Sequence, residues 1–432
     1  MSSPRDLGRR SWISVWLGVW LAIGSAPVLG QASGETRQDP ASASTPAQNS
    51  KPSSKKPASV QFDPAPAAVM KTPQAVDISQ GSYELELSGD RKPEGREGRR
   101  GEIVVAPFPL SNPAIGTGVV VVGGYLFPLR RSDKISPNSL IGGGGFYTNN
   151  GSRAWGAGTK LYLKQDRFRI TMAYGQAQLH YDLYGIGNEA GNLGLSVPVD
   201  QGGKALLLEP LVRLKGKLFL GPRYQWRSLN AVLTGKNLPP GLNIPSAELK
   251  STTSALGFHI QHDLRDNQFY PKSGTLADVV GDFFQGTLGS DFTYQSYTFA
   301  FNKYSGISPH QVLAFRVFGC VTIGRVPFYD LCLLGTHNDV RGYDTGRYRD
   351  KLMLTSQLEY RRELPKRLGF AAFFGLGEVA PEVVKFNADN LKPAGGVGIR
   401  YTLAKKNHVN FRVDYAVGLD GGGVYMGVTE AF

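Results

Sequence analysis

The stretch Val409-Asn410-Phe411-Arg412-Val413-Asp414-Tyr415-Ala416-Val417 alternates apolar and polar side chains without a break. Successive side chains of an extended strand point to opposite faces. One face here reads Val, Phe, Val, Tyr, Val and the other Asn, Arg, Asp, Ala. An arginine and an aspartate on one face require water or each other, while the opposite face is apolar throughout. A strand standing between lipid and an aqueous lumen needs this pattern. Phe168-Arg169-Ile170-Thr171-Met172-Ala173-Tyr174 repeats it. The competing reading is a soluble sandwich with one polar face, whose strands average about 5 to 6 residues. The runs here often reach ten or more, so the membrane barrel is the reading adopted.

Working outward from that run, period-two segments begin near Glu102. They fall near 102–110, 116–128, 138–148, 153–164, 166–183, 204–219, 222–234, 249–264, 274–285, 291–305 and 309–322. After a long loop they resume near 350–364, 367–379, 394–404, 407–418 and 422–432, which predicts an all-β transmembrane antiparallel barrel of about sixteen strands over 102–432. Bacterial barrels have even strand numbers, and parity argues for keeping the first run although Pro107 would break a ladder bond. With both barrel ends periplasmic, connections after odd strands face outside and are the longer ones. Residues 188–201, 234–249, the long loop and 381–392 follow odd strands, whereas Gly221-Pro222 and 404–407 are tight and follow even ones.

Composition agrees. The mean hydropathy of −0.22 leaves no bundle of apolar helices, and 54 glycines with 11% aromatics suit turns and strands. The net charge of +13 raises nucleic acid as a partner. Basic residues interleave singly with apolar ones rather than clustering on a helix face, which argues against it. Outer-membrane lipids and lipopolysaccharide are the acidic neighbours expected instead.

Ahead of the barrel, residues 1–30 read as a signal peptide. Arg5, Arg9 and Arg10 precede an apolar run from Trp12 to Ile23, and Val28-Leu29-Gly30 offers small residues near a cleavage point. The apolar run is shorter than the roughly 20 residues a spanning helix needs. Residues 31–101 are rich in Ala, Ser, Pro, Gln and charge, so they read as a disordered periplasmic linker that cannot bury enough apolar area to fold. The compartment expected is the outer membrane of a Gram-negative-type bacterium.

The long loop carries the most specific residues. Gly324-Arg325-Val326-Pro327-Phe328-Tyr329, Leu333-Leu334-Gly335 and Val340-Arg341-Gly342-Tyr343 follow one another between two strands. Asp263-Leu264-Arg265-Asp266-Asn267, with Pro271 and Gly274 after it, forms a second signature, and Tyr181 to Asn188 a third. Together these resemble the BamA/TamA-type outer-membrane barrel superfamily, the bacterial surface antigens, in a short form lacking periplasmic modules. The resemblance implies that the tip Val340 to Tyr343 folds back into the lumen. It implies that Asp263 to Gly274 is a periplasmic turn, and that Phe432 ends the last strand as a C-terminal signal read by the barrel assembly machinery.

It also implies that Arg341 pairs with Glu359. The phase of the following strand agrees independently, since Leu354, Ser356, Leu358 and Tyr360 take the outer face and Thr355, Gln357 and Glu359 point inward. Members of the family carry an aspartate two residues after a phenylalanine on the next strand. Here Phe373 matches the phenylalanine but Gly375 stands in the aspartate's place, which predicts a weakened lock. Glycine repeated on one strand face usually marks a close backbone approach, so Phe373, Gly375, Gly396 and Gly398 are expected to form the wall receiving the loop. Barrel curvature is the alternative reason for those glycines.

Cys320 ends the strand entering the loop and Cys332 lies within it. They read either as a disulfide stapling the loop's stem or as two free buried thiols, because the geometry a bond needs is strict. No metal-ligand spacing, cofactor motif or catalytic set is visible, and the glycine clusters lack the strand-loop-helix setting of a phosphate cradle. A non-enzymatic barrel is expected, without a cofactor. Its role is either to assist insertion or translocation of proteins or lipids, with unfolded proteins as clients, or to be a passive structural or channel-type barrel plugged by its own loop.

Overall fold

A computed structural model describes residues 102–432, apart from 113–114, 131, 134, 235–244, 268, 336–337 and 405–407. The expected signal peptide and linker lie outside the described residues. Sixteen strands form one antiparallel sheet in sequence order, curled into a nearly closed barrel. They are β1 (Glu102–Asn112), β2 (Gly116–Phe127), β3 (Ser139–Thr148), β4 (Arg153–Leu163), β5 (Phe168–Tyr184), β6 (Ser196–Lys215), β7 (Leu218–Leu233) and β8 (Lys250–Asp263). Then follow β9 (Gly274–Phe284), β10 (Tyr294–Ser308) and β11 (Gln311–Gly324). The loop holds a two-residue pair, β12 (Cys332–Leu333) and β13 (Arg349–Asp350). The wall resumes with β14 (Leu352–Glu363), β15 (Leu368–Ala380), β16 (Lys392–Ala404), β17 (Val409–Gly418) and β18 (Gly421–Val428).

The alternation that predicts these strands also sets their burial. Leu354, Leu358, Val397, Ile399, Tyr415 and Val417 are exposed on the outside, while Glu359, Arg361, Arg400, Arg412 and Asp414 are buried within. A water-soluble protein distributes these residue types the other way round. The pattern is stable where the outer face meets hydrocarbon and the inner charges find one another. Among the described residues no helix is long and apolar enough to cross a membrane.

Several boundaries differ from the sequence reading, each for a local reason. Gly221 and Pro222 lie inside β7, and the turn falls at Gly216-Lys217, where Gly216 takes a positive φ of 57°. Pro210 and Pro222 stand opposite each other, two residues without donors, and the β6–β7 pairing skips from Leu208↔Tyr224 to Val212↔Leu220 there. Residues 188–201 are not one loop: a short helix α1 (Gly187–Leu193) caps the barrel and β6 starts at Ser196. Loop length is also not confined to one end, since 128–138 and 264–273 are long connections at the opposite end.

β1 pairs with β2 in unbroken register through Pro107. It is an edge strand, where a missing donor is tolerated. Among the described residues β1 and β18 adjoin without a backbone ladder, and the Ser111 hydroxyl donates to the Val424 carbonyl at 3.3 Å. Gly421 to Gly423 open β18. Phe432 is not part of that strand. β18 ends at Val428, Thr429 takes a positive φ of 70°, and the chain turns inward so that Phe432 accepts a hydrogen bond from Arg361 at 2.8 Å.

Candidate functional site

The loop between β11 and β14 enters the lumen. Cys320 does not end its strand, since β11 runs on to Gly324; it is bonded to Cys332 in β12, with Cα atoms 5.8 Å apart, so the stapled alternative is the one observed. Closing a loop of that length stabilises by roughly 3 kcal/mol in the chain-entropy account. Replacing both cysteines by serine is therefore expected to lower stability by about that amount while keeping the folded gel mobility. A urea titration of the folded band checks it.

The tip is built on unusual backbone. Val340 has a positive φ of 50° and Gly342 one of 126°. A Cβ on Gly342 would come within 2.7 Å of the Val417 carbonyl carbon, so only glycine brings the loop this close to β17. The Tyr425 hydroxyl accepts from the Gly342 amide at 2.9 Å, and the Tyr343 hydroxyl donates to the Pro393 carbonyl at 2.6 Å. The Tyr343 ring lies over Gly418, where a Cβ would sit 2.6 Å from it.

Arg341 is buried between two carboxylates and an aromatic ring. One guanidinium nitrogen donates to Glu359 at 2.5 Å and another to Asp414. Its Cζ lies 3.5 Å from the centre of the Phe373 ring, a placement that adds a cation–π attraction. Arg361 donates to the other oxygen of Glu359 at 2.7 Å. Arg400 and Arg412 donate to Asp414 at 2.5 and 2.8 Å. Glu430 then accepts from Arg400 and Asn410 at 2.8 and 2.9 Å. Each carboxylate serves several guanidiniums, which is how a lumen sustains this much buried charge.

The structure thus brings together Val340, Arg341, Gly342, Tyr343, Glu359 and Phe373, and corrects two expectations. The lock is not weakened by Gly375, because Asp414 on β17 supplies the second carboxylate. The wall glycines also work differently from what their spacing suggests. A Cβ on Gly398 would lie 2.0 Å from the Asp414 Oδ1, one on Gly396 2.6 Å from the Phe373 ring, and one on Gly375 2.8 Å from Gln357 Cγ. These three leave room for side chains that hold the loop, not for the loop's backbone. The loop itself packs on Gly377, whose Cβ would meet Leu334 at 2.6 Å and Val340 at 3.2 Å.

Two further pins escaped the sequence reading. Arg227 of β7 donates to Asp330 at 2.7 Å, and Arg316 of β11 donates to Asp339 at 2.7 Å. Gln357 reaches the same place, donating to the Asn338 carbonyl at 2.8 Å. The available signal was arginine in the lumen phase of β7 and β11 opposite a loop with four aspartates, Asp330, Asp339, Asp344 and Asp350. Toward the barrel mouth, Arg347 donates to the Gly191 carbonyl of α1 at 3.0 Å and pairs with Asp420 at 3.3 Å. Burial pulls the Arg349 guanidinium in β13 down to about 10. The turn signature folds on itself at the far end: Asp263 and Arg265 pair through two contacts of 2.9 and 2.8 Å. Asp266 accepts from the Lys272 and Ser273 amides, Pro271 is buried, and Gly274 has a φ of 102°. No group of residues suited to a metal ion occurs among the described residues.

Residues 146–422 match the family described as the Omp85 superfamily domain. No curated protein matches the chain. Among solved structures the chain is similar to BamA from Haemophilus ducreyi lacking POTRA domains 1–3, with 13% identity and a TM-score of 0.51 over 77% of this chain and 70% of that one. It is similar to CdiB from Escherichia coli at 14% identity and a TM-score of 0.51, over 76% of this chain and 62% of that one. The chain therefore spans less than two thirds of the CdiB structure, and identities this low speak for the fold.

Proposed function

The chain belongs to the Omp85 superfamily, and from that premise we propose that it is a non-enzymatic outer-membrane barrel that assists insertion or translocation of proteins across its β1–β18 seam. The family's barrel fold implies an outer membrane, and cleavage after an N-terminal signal near residue 30 is part of the same proposal. The observation that carries the reading is the seam: among the described residues two strands adjoin without a ladder. An unpaired strand edge is a template for another strand, here an unfolded client. The Arg341 contact to β17 sits one strand away from that edge, so loop and seam are mechanically joined.

The test is a cross-link at the Ser111–Val424 seam contact, Ser111→Cys with Val424→Cys. With the barrel reconstituted in vesicles beside an unfolded client barrel, the reduced form is expected to raise the client's folded yield and the oxidised form to abolish the gain. Equal yields in both states would remove the assembly reading. A second reading, a passive barrel closed by its own loop, is supported by the disulfide and the several arginine–aspartate pins that anchor the loop. It expects equal yields, and an unchanged outer-membrane proteome when the protein is depleted.

Sidedness gives an independent check. Val384, in the β15–β16 connection, and Lys366, in the β14–β15 connection, are exposed at opposite ends. A cysteine at 384 is expected to react with an impermeant reagent on intact cells, and one at 366 only after the outer membrane is breached. The reverse result would invert the topology.

A further inference from the structure

The two ends of the barrel differ sharply in charge. The seven connections at the end bearing Asp263 to Gly274 contain twelve lysine and arginine residues against three carboxylates. The connections at the other end, leaving aside the inserted loop, contain two against six. Arg131, Lys134, Lys405 and Lys406 at the first end and Lys236 at the other enter these counts as sequence, being outside the described residues. Arg130, Lys164, Arg167, Lys217, Lys366 and Arg367 are all exposed.

The acidic groups at the basic end are turned to internal work. Asp166 pairs with Arg169 at 2.7 Å, Asp263 with Arg265 at 2.8 Å and Glu363 with Lys272 at 2.9 Å. Asp133 accepts from the Ser136 amide at 2.9 Å and its hydroxyl at 2.8 Å. Arg265 and Lys272 are two of the twelve cations and are matched by those pairs, but the exposed cations that remain still outnumber the nearby carboxylates, so this end stays net positive.

Beside these cations stand exposed apolar side chains on the outward phase of the strands or on its continuation just past their ends. They are Leu129, Leu214, Leu264, Ile307, Leu364 and Leu368, with Leu214 at 57% and Ile307 at 59% exposure. Leu214 is flanked by Arg213 and Lys215, and Leu364 and Leu368 bracket Lys366 and Arg367. A leucine in the acyl boundary with a lysine or arginine reaching up past it is the arrangement that suits an anionic headgroup layer. An acidic protein would match the charge but not the ring of outward leucines, which face the bilayer.

We infer that this rim binds the phosphodiester headgroups of anionic glycerophospholipid in the adjoining leaflet, so that the barrel is anchored and oriented by acidic phospholipid at its turn end. The inference needs only that the barrel spans a membrane, and it stands whether or not the seam accepts clients.

The test uses the full folded chain in phosphatidylcholine vesicles carrying trace spin-labelled phosphatidylglycerol or spin-labelled phosphatidylcholine. The fraction of motionally restricted label reports which lipid the barrel surface retains. The expected result is about a fivefold preference for phosphatidylglycerol per engaged cation at low salt, falling in 0.5 M salt, roughly, as screening shortens the field's reach. Lys217→Gln combined with Lys366→Gln and Arg367→Gln should remove most of that preference. Lys385→Gln, at the other end, should leave it intact. Equal retention of both lipids overturns the inference, as does a preference that survives the triple substitution. A preference abolished by Lys385→Gln, or one seen for lipid A and not for phosphatidylglycerol, would place the headgroup site at the loop end and overturn it too. So would rim-dependent capture of an acidic protein without lipid selectivity.

Discussion

Asp414→Ala is expected to destabilise the barrel more than Arg341→Ala, although the two remove opposite halves of one contact. Asp414 accepts from Arg341, Arg400 and Arg412. Its loss leaves Glu359 and Glu430 as the carboxylates shared by Arg341, Arg361 and Arg400 in a buried volume. Breaking a buried pair by deleting one partner costs about 3–5 kcal/mol, and here three cations lose a contact together, although Arg341 keeps Glu359 and Arg400 keeps Glu430. After Arg341→Ala, by contrast, Glu359 keeps Arg361 at 2.7 Å and Asp414 keeps Arg400 at 2.5 Å. Because both carboxylates keep other guanidiniums, the loss is about 1.5–3 kcal/mol in all, and it falls on the loop rather than on the wall. Arg341→Lys should recover only part, because a point charge cannot span Glu359 and Asp414 as a planar fork does. Urea titration of the folded fraction gives the ordering. A double mutant should cost less than the sum of the singles, since both act on one network. Additive costs, or Arg341→Ala the worse of the two, would sink this account of the lock.

Why was one half of the lock legible in the sequence and the other not? Glu359 is the partner the family resemblance implies, and period two agrees with it, since its neighbours on the strand fix its inward face. The sixteen strands follow from the same alternation. Asp414 shows the same inward phase in Val409 to Val417, so its face was readable. Its distance from Arg341 was not, because that depends on barrel curvature and on how far a loop with positive φ at Val340 and Gly342 descends. Boundaries failed for a related reason. Pro210 and Pro222 look like turn residues locally, yet they stand opposite each other mid-wall, where one interruption serves both. The inward bend of residues 429–432 is a tertiary effect: Arg361 and Arg400 draw Glu430 and Phe432 into the lumen, and nothing in the local pattern of those four residues says so.

The glycine at 398 supplies the second large expectation. On β16 it lies directly between Ala371 of β15 and Asp414 of β17 in the ladder. A methyl group there would stand 2.0 Å from Asp414 Oδ1, 2.5 Å from an Arg400 nitrogen and 3.0 Å from the Val413 carbonyl. The arginine end can swing, but the Asp414 carboxylate is short and held by three guanidiniums, so it must leave its partners or push the strand outward. Gly398→Ala should therefore cost nearly as much as Asp414→Ala, about 3 kcal/mol, even though alanine normally suits a strand interior better than glycine by roughly 0.5–1 kcal/mol. Gly395→Ala is the control on the same strand. It faces outward with its nearest atom, the Phe373 carbonyl oxygen, at 3.3 Å, so it should be close to neutral. The decisive comparison is Gly398→Ala made in the Asp414→Ala background. If the glycine exists to seat that carboxylate, the second substitution adds little once the carboxylate is gone. A full additional penalty in that background would instead make Gly398 a requirement of wall curvature, and the carboxylate's position over β16 would owe nothing to it.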